Sequence, residues 1–142
     1  MRKIFLFVVA LFATTLMANE IHWAKDFKTG ITQALKEHKP VMFISSRHTC
    51  KYCVVLEKQA LSDARVIKAL NKDFIAIISY SDEHDYMPGE LWRPGTPAIW
   101  FLNSDGTAMF EPLMGAYPTE AILQALAVVK TEFDKNNKKS GK

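Results

Sequence analysis

The sequence contains very little cysteine. Its 142 residues include only two, Cys50 and Cys53. So small a number excludes a scaffold held together by several disulfides. The two cysteines could also supply only two ligands of a structural zinc site, whereas such sites use four ligands that typically come from two pairs. None of the four histidines forms an H-x3–5-H unit, so we expect no bound metal.

The sequence also lacks a strong excess of either charge. The full chain carries a net charge of +3, and without its first 18 residues it carries +1, because Arg2 and Lys3 are lost and no acidic residue is. A domain so close to neutral gives no electrostatic reason to expect nucleic-acid binding.

No apolar run in the sequence is long enough to span a membrane. The longest, Ile4 to Ala13, falls well short of the roughly 20 residues that a spanning helix needs. Arg2 and Lys3 precede it and the small residue Ala18 follows, which is the layout of a secretory signal peptide. An uncleaved amino-terminal anchor is the alternative. Export would place the chain in an oxidising compartment, and we expect the bacterial periplasm.

These features divide the chain into three segments. We expect a signal peptide over residues 1–18 and one folded domain over residues 19–133. The end of the chain, "DKNNKKSGK", has no apolar residue, so residues 134–142 are expected to form a disordered basic tail.

Hydrophobic periodicity in the domain predicts an α/β fold. Helices are predicted at 26–38, after the cysteine pair, at 62–71 and at 118–133, and strands at 41–45, 74–80, 98–102 and 108–115. The first helix carries Phe27, Ile31, Leu35 and His38 at helical spacing, with Ala34 beside them. A helical connection makes the first two strands parallel, whereas "NSDGT" makes the last two an antiparallel hairpin. The result is a mixed sheet of about four strands with helices on both faces.

The cysteine pair lies where the first strand leads into the following helix. At a helix amino terminus, unpaired N–H groups and the helix dipole favour a thiolate at Cys50, and Lys51 and protonated His48 act in the same direction. Two intervening residues allow Cys53 to reach Cys50 within one helical turn. Three interpretations are open: a redox couple, half of a metal site, or a structural disulfide. The last is disfavoured because so short a loop restricts the unfolded chain little.

The pattern resembles the thioredoxin-like fold family from about Ile21 to Phe133. The resemblance rests on "KPVMFIS", "CKYC", the "LEKQALSDARVIKALNKDFIAI" that follows, "GTPAIWFLNSDG" and "GAYPTEAILQAL". The resemblance is strongest to bacterial periplasmic thioredoxin-like reductases, which include the C-terminal domain of the membrane thiol-disulfide interchange protein. The resemblance implies that Cys50 attacks and Cys53 resolves, and that Pro97 is cis and faces the cysteines. It also implies that the backbone of Thr96 docks an extended client segment.

The same resemblance implies an enzyme that exchanges disulfides with client proteins and needs no bound cofactor. A membrane thiol-electron transporter would recharge it in the reductase role, and we expect a monomer. The Lys51-Tyr52 dipeptide tunes the redox potential in this family, and Tyr52 before the second cysteine favours a reductase or isomerase. His48, Lys51 and Tyr52 are expected to tune the pKa of the thiols, and they complete the expected site.

Two positions depart from the family pattern. Thr49 replaces the usual tryptophan before the first cysteine, and Ile44 stands where a buried acid often takes the proton of the second cysteine. Glu57, one turn after Cys53, is a substitute by spacing alone, and a solvent-facing position is the simpler expectation for it.

A different class of function also fits the sequence. Trp92 and Met87 lie in the Pro- and Gly-rich loop before Pro97, where they would line a groove for unfolded or reduced clients. Ordinary packing is the alternative for both residues. A periplasmic chaperone or client-binding module without enzymatic activity would use the same face.

Overall fold

The computed structural model describes residues 19–140, so the expected signal peptide over residues 1–18 lies outside the described residues. The described chain forms four α-helices and four strands. Three short 3-10 turns connect them, at Ala60–Ser62, Ser81–Glu83 and Gly89–Leu91. In chain order the main elements are α1 (Phe27–Glu37), β1 (Val41–Ser46), α2 (Lys51–Lys58), α3 (Ala64–Asp73), β2 (Ile75–Tyr80), β3 (Ala98–Leu102), β4 (Leu113–Met114) and α4 (Thr119–Ser140).

The strands form one mixed sheet in the order β2-β1-β3-β4. β1 pairs with β2 in parallel and with β3 antiparallel, and β3 pairs with β4 antiparallel. The predicted α/β fold is therefore confirmed, including the parallel crossover and the hairpin at the end of the sheet.

The central strand β1 is buried along its whole length, as its unbroken apolar run predicts. Alternate side chains serve the two faces of the sheet. Val41 and Phe43 pack beneath α1, whereas Met42 and Ile44 join the core formed with α2, α3 and α4. Helices therefore cover both faces, and the carboxyl end of β1 leads directly into the cysteine pair.

The buried stripe of α1 differs from the predicted one. Asp26 caps the helix by accepting a hydrogen bond from the backbone N–H of Thr29. The buried positions of the helix are Phe27, Gly30 and Ala34, whereas Leu35 is 50% exposed. The prediction for Leu35 was wrong because α1 approaches β2 closely at Gly30, so the side of the helix that carries Phe27, Gly30 and Ala34 faces the sheet.

The fourth strand is much shorter than the predicted 108–115. Only Leu113–Met114 pair with β3, and Ala108 adds an isolated bridge to Leu102. Pro112 has no N–H to donate, which interrupts the ladder between these two contacts.

Helix α4 extends beyond the predicted end at Phe133. The segment expected to be a disordered tail is helical as far as Ser140. Ion pairs between neighbouring turns stabilise it, with Lys130 bonding Asp134 at 2.6 Å and Lys135 bonding Glu132 at 2.7 Å. The basic residues of its last turn complement the negative end of the helix dipole, an effect that apolar periodicity alone does not reveal. Across residues 19–140 no helix is both long and apolar enough to cross a membrane.

Gly30→Ala tests how closely α1 approaches the sheet. An added Cβ would lie 2.4 Å from Cδ1 and 2.6 Å from Cγ1 of Ile77, which is fully buried. We expect a loss of about 1–3 kcal/mol in the free energy of unfolding, measured with urea, because overpacking outweighs the better helix propensity of alanine. Gly89→Ala, where nothing lies within 4 Å of the new Cβ, is the neutral control. Adding Ile77→Val should recover part of the loss; a Gly30→Ala protein as stable as the original would contradict the explanation.

Candidate functional site

Cys50 is the residue that begins helix α2. Its backbone is extended, with φ −87° and ψ 118°, and its sulfur accepts a hydrogen bond from the backbone N–H of Cys53 at 3.2 Å. Cysteine therefore fills the capping position usually taken by Ser, Thr, Asp or Asn. This position directs the sulfur of Cys50 at the unpaired N–H groups of the first turn.

The loop before β3 meets Cys50 from the other side. The Cys50 thiol lies 3.3 Å from the backbone oxygen of Thr96 and donates to it. The peptide bond between Thr96 and Pro97 is cis, as the family resemblance implies. The oxygen of Pro97 accepts a hydrogen bond from the N–H of Gly115 at 2.9 Å, which ties this loop to the end of β4.

The two cysteines differ sharply in exposure. Cys53 is completely buried, whereas Cys50 is partly exposed, and both are free thiols. A shallow surface groove of 410 Å³ lies along Cys50 and is also lined by Thr49, Lys51 and Val54. An incoming disulfide therefore has access to Cys50 and not to Cys53.

The surroundings shift the two thiols in opposite directions. Burial opposes ionisation of Cys50, but hydrogen bonds from the side chains of Cys53 and Thr96, together with the backbone N–H groups of Cys53 and Tyr52, outweigh it and lower the pKa of Cys50. Burial is the main factor that raises the pKa of Cys53, and its hydrogen bond with Cys50 adds to the effect. A hydrogen bond with Ser46 opposes that rise only in part. The surroundings thus favour ionisation of Cys50 over ionisation of Cys53.

The three residues expected to tune the pKa of the thiols differ in their exposure and in their contacts. Lys51 and Tyr52 are exposed in the first turn of α2, Tyr52 to 61%. His48 lines the groove beside Cys50, but its Nε2 pairs with Glu83 at 2.6 Å and its ring stacks on Tyr80 at 3.9 Å. The main factors that lower the pKa of Cys50 are hydrogen bonds, from Cys53 at the start of α2 and from the side chain of Thr96.

Glu57 is only partly exposed, rather than fully solvent-facing as the simpler expectation had it. It is partly buried, and its carboxylate accepts a hydrogen bond from the Tyr80 hydroxyl at 3.1 Å. Both line a cavity of 280 Å³ that also involves Trp23 and Ile78. Burial and the Glu57 charge raise the pKa of Tyr80 to about 12, so its hydroxyl keeps its proton. Sequence reasoning missed Tyr80 because it occupies the last position of an apolar strand.

The two loop residues expected near the site, Met87 and Trp92, differ in burial. Met87 packs against the core beneath α1, as ordinary packing predicts, whereas Trp92 is 59% exposed. Another exposed apolar side chain, Met114, has its terminal methyl 3.7 Å from the place where a Cβ on Gly95 would lie, next to Thr96. Met114 was not identified from the sequence, because its position depends on the pairing of β4 with β3.

Within residues 19–140, the structure brings together no group of three or more His, Cys, Asp or Glu side chains suited to a metal ion. The cysteine pair therefore has no further ligands from the described part of the chain, so this structure gives the metal interpretation no support.

Comparisons with known proteins agree with this geometry. A family model described as a thioredoxin-like domain matches residues 27–130. The chain is 30% identical over 119 residues to Anterior gradient protein 1 of Xenopus laevis, a match that covers 78% of this chain and 63% of that protein. It is 31% identical over 58 residues to Anterior gradient protein 2 of the same organism, covering 41% of this chain and 31% of that one. The first curated relatives are thus matched over only about a third of their length.

Two solved structures show the same similarity. The DsbD C-terminal domain of Neisseria meningitidis in its reduced form is 27% identical, with a TM-score of 0.57, and the match covers 70% of this chain and 90% of that one. A thioredoxin from Thermus thermophilus is 24% identical with a TM-score of 0.64, covering 78% and 87%, and it supports the fold alone.

The opposite pKa shifts of the two thiols predict unequal reactivity toward iodoacetamide. Because the pKa of Cys50 is lowered, the thiolate of Cys50 persists to lower pH, so alkylation of Cys50 in the folded protein should have a lower pH midpoint than in the protein unfolded in urea. Cys53, buried and with a raised pKa, should remain unmodified. Mass spectrometry of the reduced protein across pH measures both sites, with the protein unfolded in urea as control. Equal rates at the two cysteines in the folded protein would contradict the assignment.

Proposed function

This chain belongs to the thioredoxin-like family, and on that basis we propose that it exchanges disulfides with client proteins through Cys50 and Cys53. Thiol-disulfide oxidoreductases of this kind work through a cysteine redox centre and use no external cofactor. Cys50 is the proposed nucleophile and Cys53 the resolving residue. The observation that carries the proposal is the sulfur of Cys50, which is accessible and accepts the N–H of Cys53 at the start of α2.

In the first proposed step the Cys50 thiolate attacks a disulfide of the client. A sulfur–sulfur bond forms between Cys50 and one client sulfur, and the other client sulfur leaves with the electron pair of the broken bond and takes a proton from solvent. Lys51 and protonated His48, which both line the groove beside Cys50, would favour the thiolate further. Tyr52, exposed on the same turn, would contact the client.

In the second step Cys53 attacks the sulfur of Cys50. The Cys50–Cys53 disulfide forms, the bond to the client breaks, and the client leaves as a thiol. The protein is then oxidised by two electrons and the client is reduced by two. A further turnover requires a dithiol reductant, and we propose a membrane thiol-electron transporter in that role.

The client is proposed to dock beside Thr96 and Pro97. The oxygen of Thr96 lies 3.3 Å from the sulfur of Cys50, so an extended segment aligned on this backbone would present its own sulfur to Cys50. Met114 and Trp92, exposed on either side of this loop in sequence, offer apolar contacts to partly unfolded chains.

The direction of electron flow is proposed to be reduction or isomerisation. The Lys51-Tyr52 dipeptide and the 27% identity to the DsbD C-terminal domain support this direction. The periplasm is the proposed compartment, because the first 18 residues have the layout of a signal peptide.

A reduction assay tests the exchange activity. The reduced domain over residues 19–140 should reduce the disulfides of insulin in the presence of dithiothreitol. Cys50→Ser should abolish this activity, since the nucleophile is lost, whereas Cys53→Ser should accumulate a mixed disulfide with the client. A wild-type protein that binds reduced or unfolded clients without exchanging thiols would favour the non-enzymatic client-binding module instead.

The reduction potential of the pair decides the direction. Equilibration with glutathione buffers should give a value closer to about −270 mV, as for a thioredoxin, than to about −120 mV, as for a strong periplasmic oxidant. A potential near the latter value would reverse the proposed direction while leaving the exchange chemistry in place.

The location is tested separately by expressing the full chain in a bacterial host and sequencing the amino terminus of the periplasmic product. We expect it to begin at Asn19, after removal of the segment that ends at Ala18. Protein retained in the membrane with Met1 intact would instead identify an uncleaved anchor.

A further inference from the structure

The surface groove beside Cys50 is bordered by basic side chains. Besides Cys50 itself, the ionisable residues from the described part of the chain that line it are His48, Lys51 and Lys58, and none of the lining residues is acidic. The chain without its first 18 residues carries a net charge of only +1. The positive charge beside Cys50 is therefore a local feature and does not reflect the whole domain.

The groove follows one side of helix α2. Lys51 is the first residue of the helix and Lys58 the last, and Val54 and Val55 lie between them and line the same groove. Residues three, four and seven positions apart share one side of a helix. A rise of 1.5 Å per residue separates the two lysines by about 10 Å along the helix axis. The groove thus presents an apolar centre with an ammonium group at each end.

Both ammonium groups are available to a partner. Lys51 and Lys58 are exposed, and among residues 19–140 neither side chain forms an ion pair. Carboxylates of neighbouring segments have other partners, because Glu83 pairs with His48 and Glu57 accepts a hydrogen bond from the end of β2. The helix dipole also opposes a cation in the first turn, so helix stability does not explain the presence of Lys51.

We propose that this groove binds an acidic segment of the client, with carboxylates of the client paired to Lys51 and Lys58 and its apolar side chains on Val54 and Val55. This inference rests on the proposed function and names the substrate class of the same site. Because Cys50 contacts Thr96 and also lines the groove, a client whose sulfur reaches Cys50 passes within reach of both surfaces. Complementary charge at such a contact mainly increases the rate of association.

The spacing of the lysines predicts where the acidic residues of the client lie. Lys51 directly follows Cys50, so an acidic residue adjacent to the client's cysteine would oppose it. An extended chain advances about 3.3 Å per residue, so the roughly 10 Å between the lysines corresponds to about three client residues. An acidic residue about four positions from the client's cysteine would therefore oppose Lys58.

Three peptides of equal length test this substrate class. They carry Glu, Gln or Lys at the positions one and four residues from a single cysteine, on both sides, and that cysteine is held as a mixed disulfide with thionitrobenzoate. Attack by the Cys50 thiolate forms a disulfide between Cys50 and the peptide, and thionitrobenzoate leaves with the electron pair of the broken bond. Stopped-flow absorbance with the reduced protein over residues 19–142 measures this release. Division by the rate with dithiothreitol removes differences in the intrinsic reactivity of the peptides.

The Glu peptide should react about 3- to 10-fold faster than the Gln peptide at low salt, and the Lys peptide more slowly than both, because each exposed ion pair contributes modestly. The difference should largely disappear in about 1 M salt, where the Debye length is only about 3 Å.

Charge variants locate the effect in the groove. Lys58→Gln should reduce the ratio of the Glu-peptide rate to the Gln-peptide rate by about 2- to 3-fold, and Lys58→Glu should make the Lys peptide faster than the Gln peptide. The matched control is Lys68→Gln, which removes the same charge from an exposed position of α3 that does not line the groove. This variant should keep the ratio of the wild-type protein.

Each result supports or overturns the inference. Equal normalised rates for the Glu and Gln peptides would overturn it, and so would an equal loss of preference in Lys58→Gln and Lys68→Gln, because overall charge rather than the groove would then decide. If the wild-type protein released thionitrobenzoate from no peptide faster than Cys50→Ser does, the proposed exchange function would fail and the inference with it.

Discussion

The hydrogen bond from the N–H of Cys53 to the sulfur of Cys50 is the interaction on which the site depends. It makes Cys50 the N-cap of α2, so the sulfur proposed as the nucleophile also caps the helix. It also creates the asymmetry of the pair, because Cys53 is carried into the core by the same turn that leaves Cys50 accessible. The opposite pKa shifts of the two thiols follow from this one arrangement.

The sheet supplies the precision that this hydrogen bond requires. β1 is held between β2 and β3 and is buried throughout, so its carboxyl end is a rigid support for the start of α2. The next strand, β3, follows directly on Pro97, which fixes the Thr96 oxygen opposite Cys50. Two elements far apart in sequence therefore meet at the sulfur of Cys50, because both are continuations of neighbouring central strands.

Helices, central strands and the cysteine pair were predictable because each depends on local periodicity or on spacing along the chain. The errors arose where contacts across the fold decide the outcome. Leu35 is exposed because α1 packs against β2 through Gly30 and Ala34, and the fourth strand is short because Pro112 interrupts its pairing with β3. Ion pairs stabilise the end of α4, and such pairs leave no hydrophobic periodicity from which the helix could be predicted.

The α/β order, the two-residue spacing of the cysteines and the absence of the family's acid at Ile44 can be read from the order of residues along the chain. The groups near the buried sulfur of Cys53 cannot, because they come together only when the chain folds. Ser46 and Tyr80 come from adjacent strands, and they share a face only because β1 and β2 pair in parallel with that register. Glu57 looked like a surface residue by spacing, but a hydrogen bond from Tyr80 joins it to the end of β2. Such contacts depend on the relative positions of distant segments, which local sequence patterns do not encode.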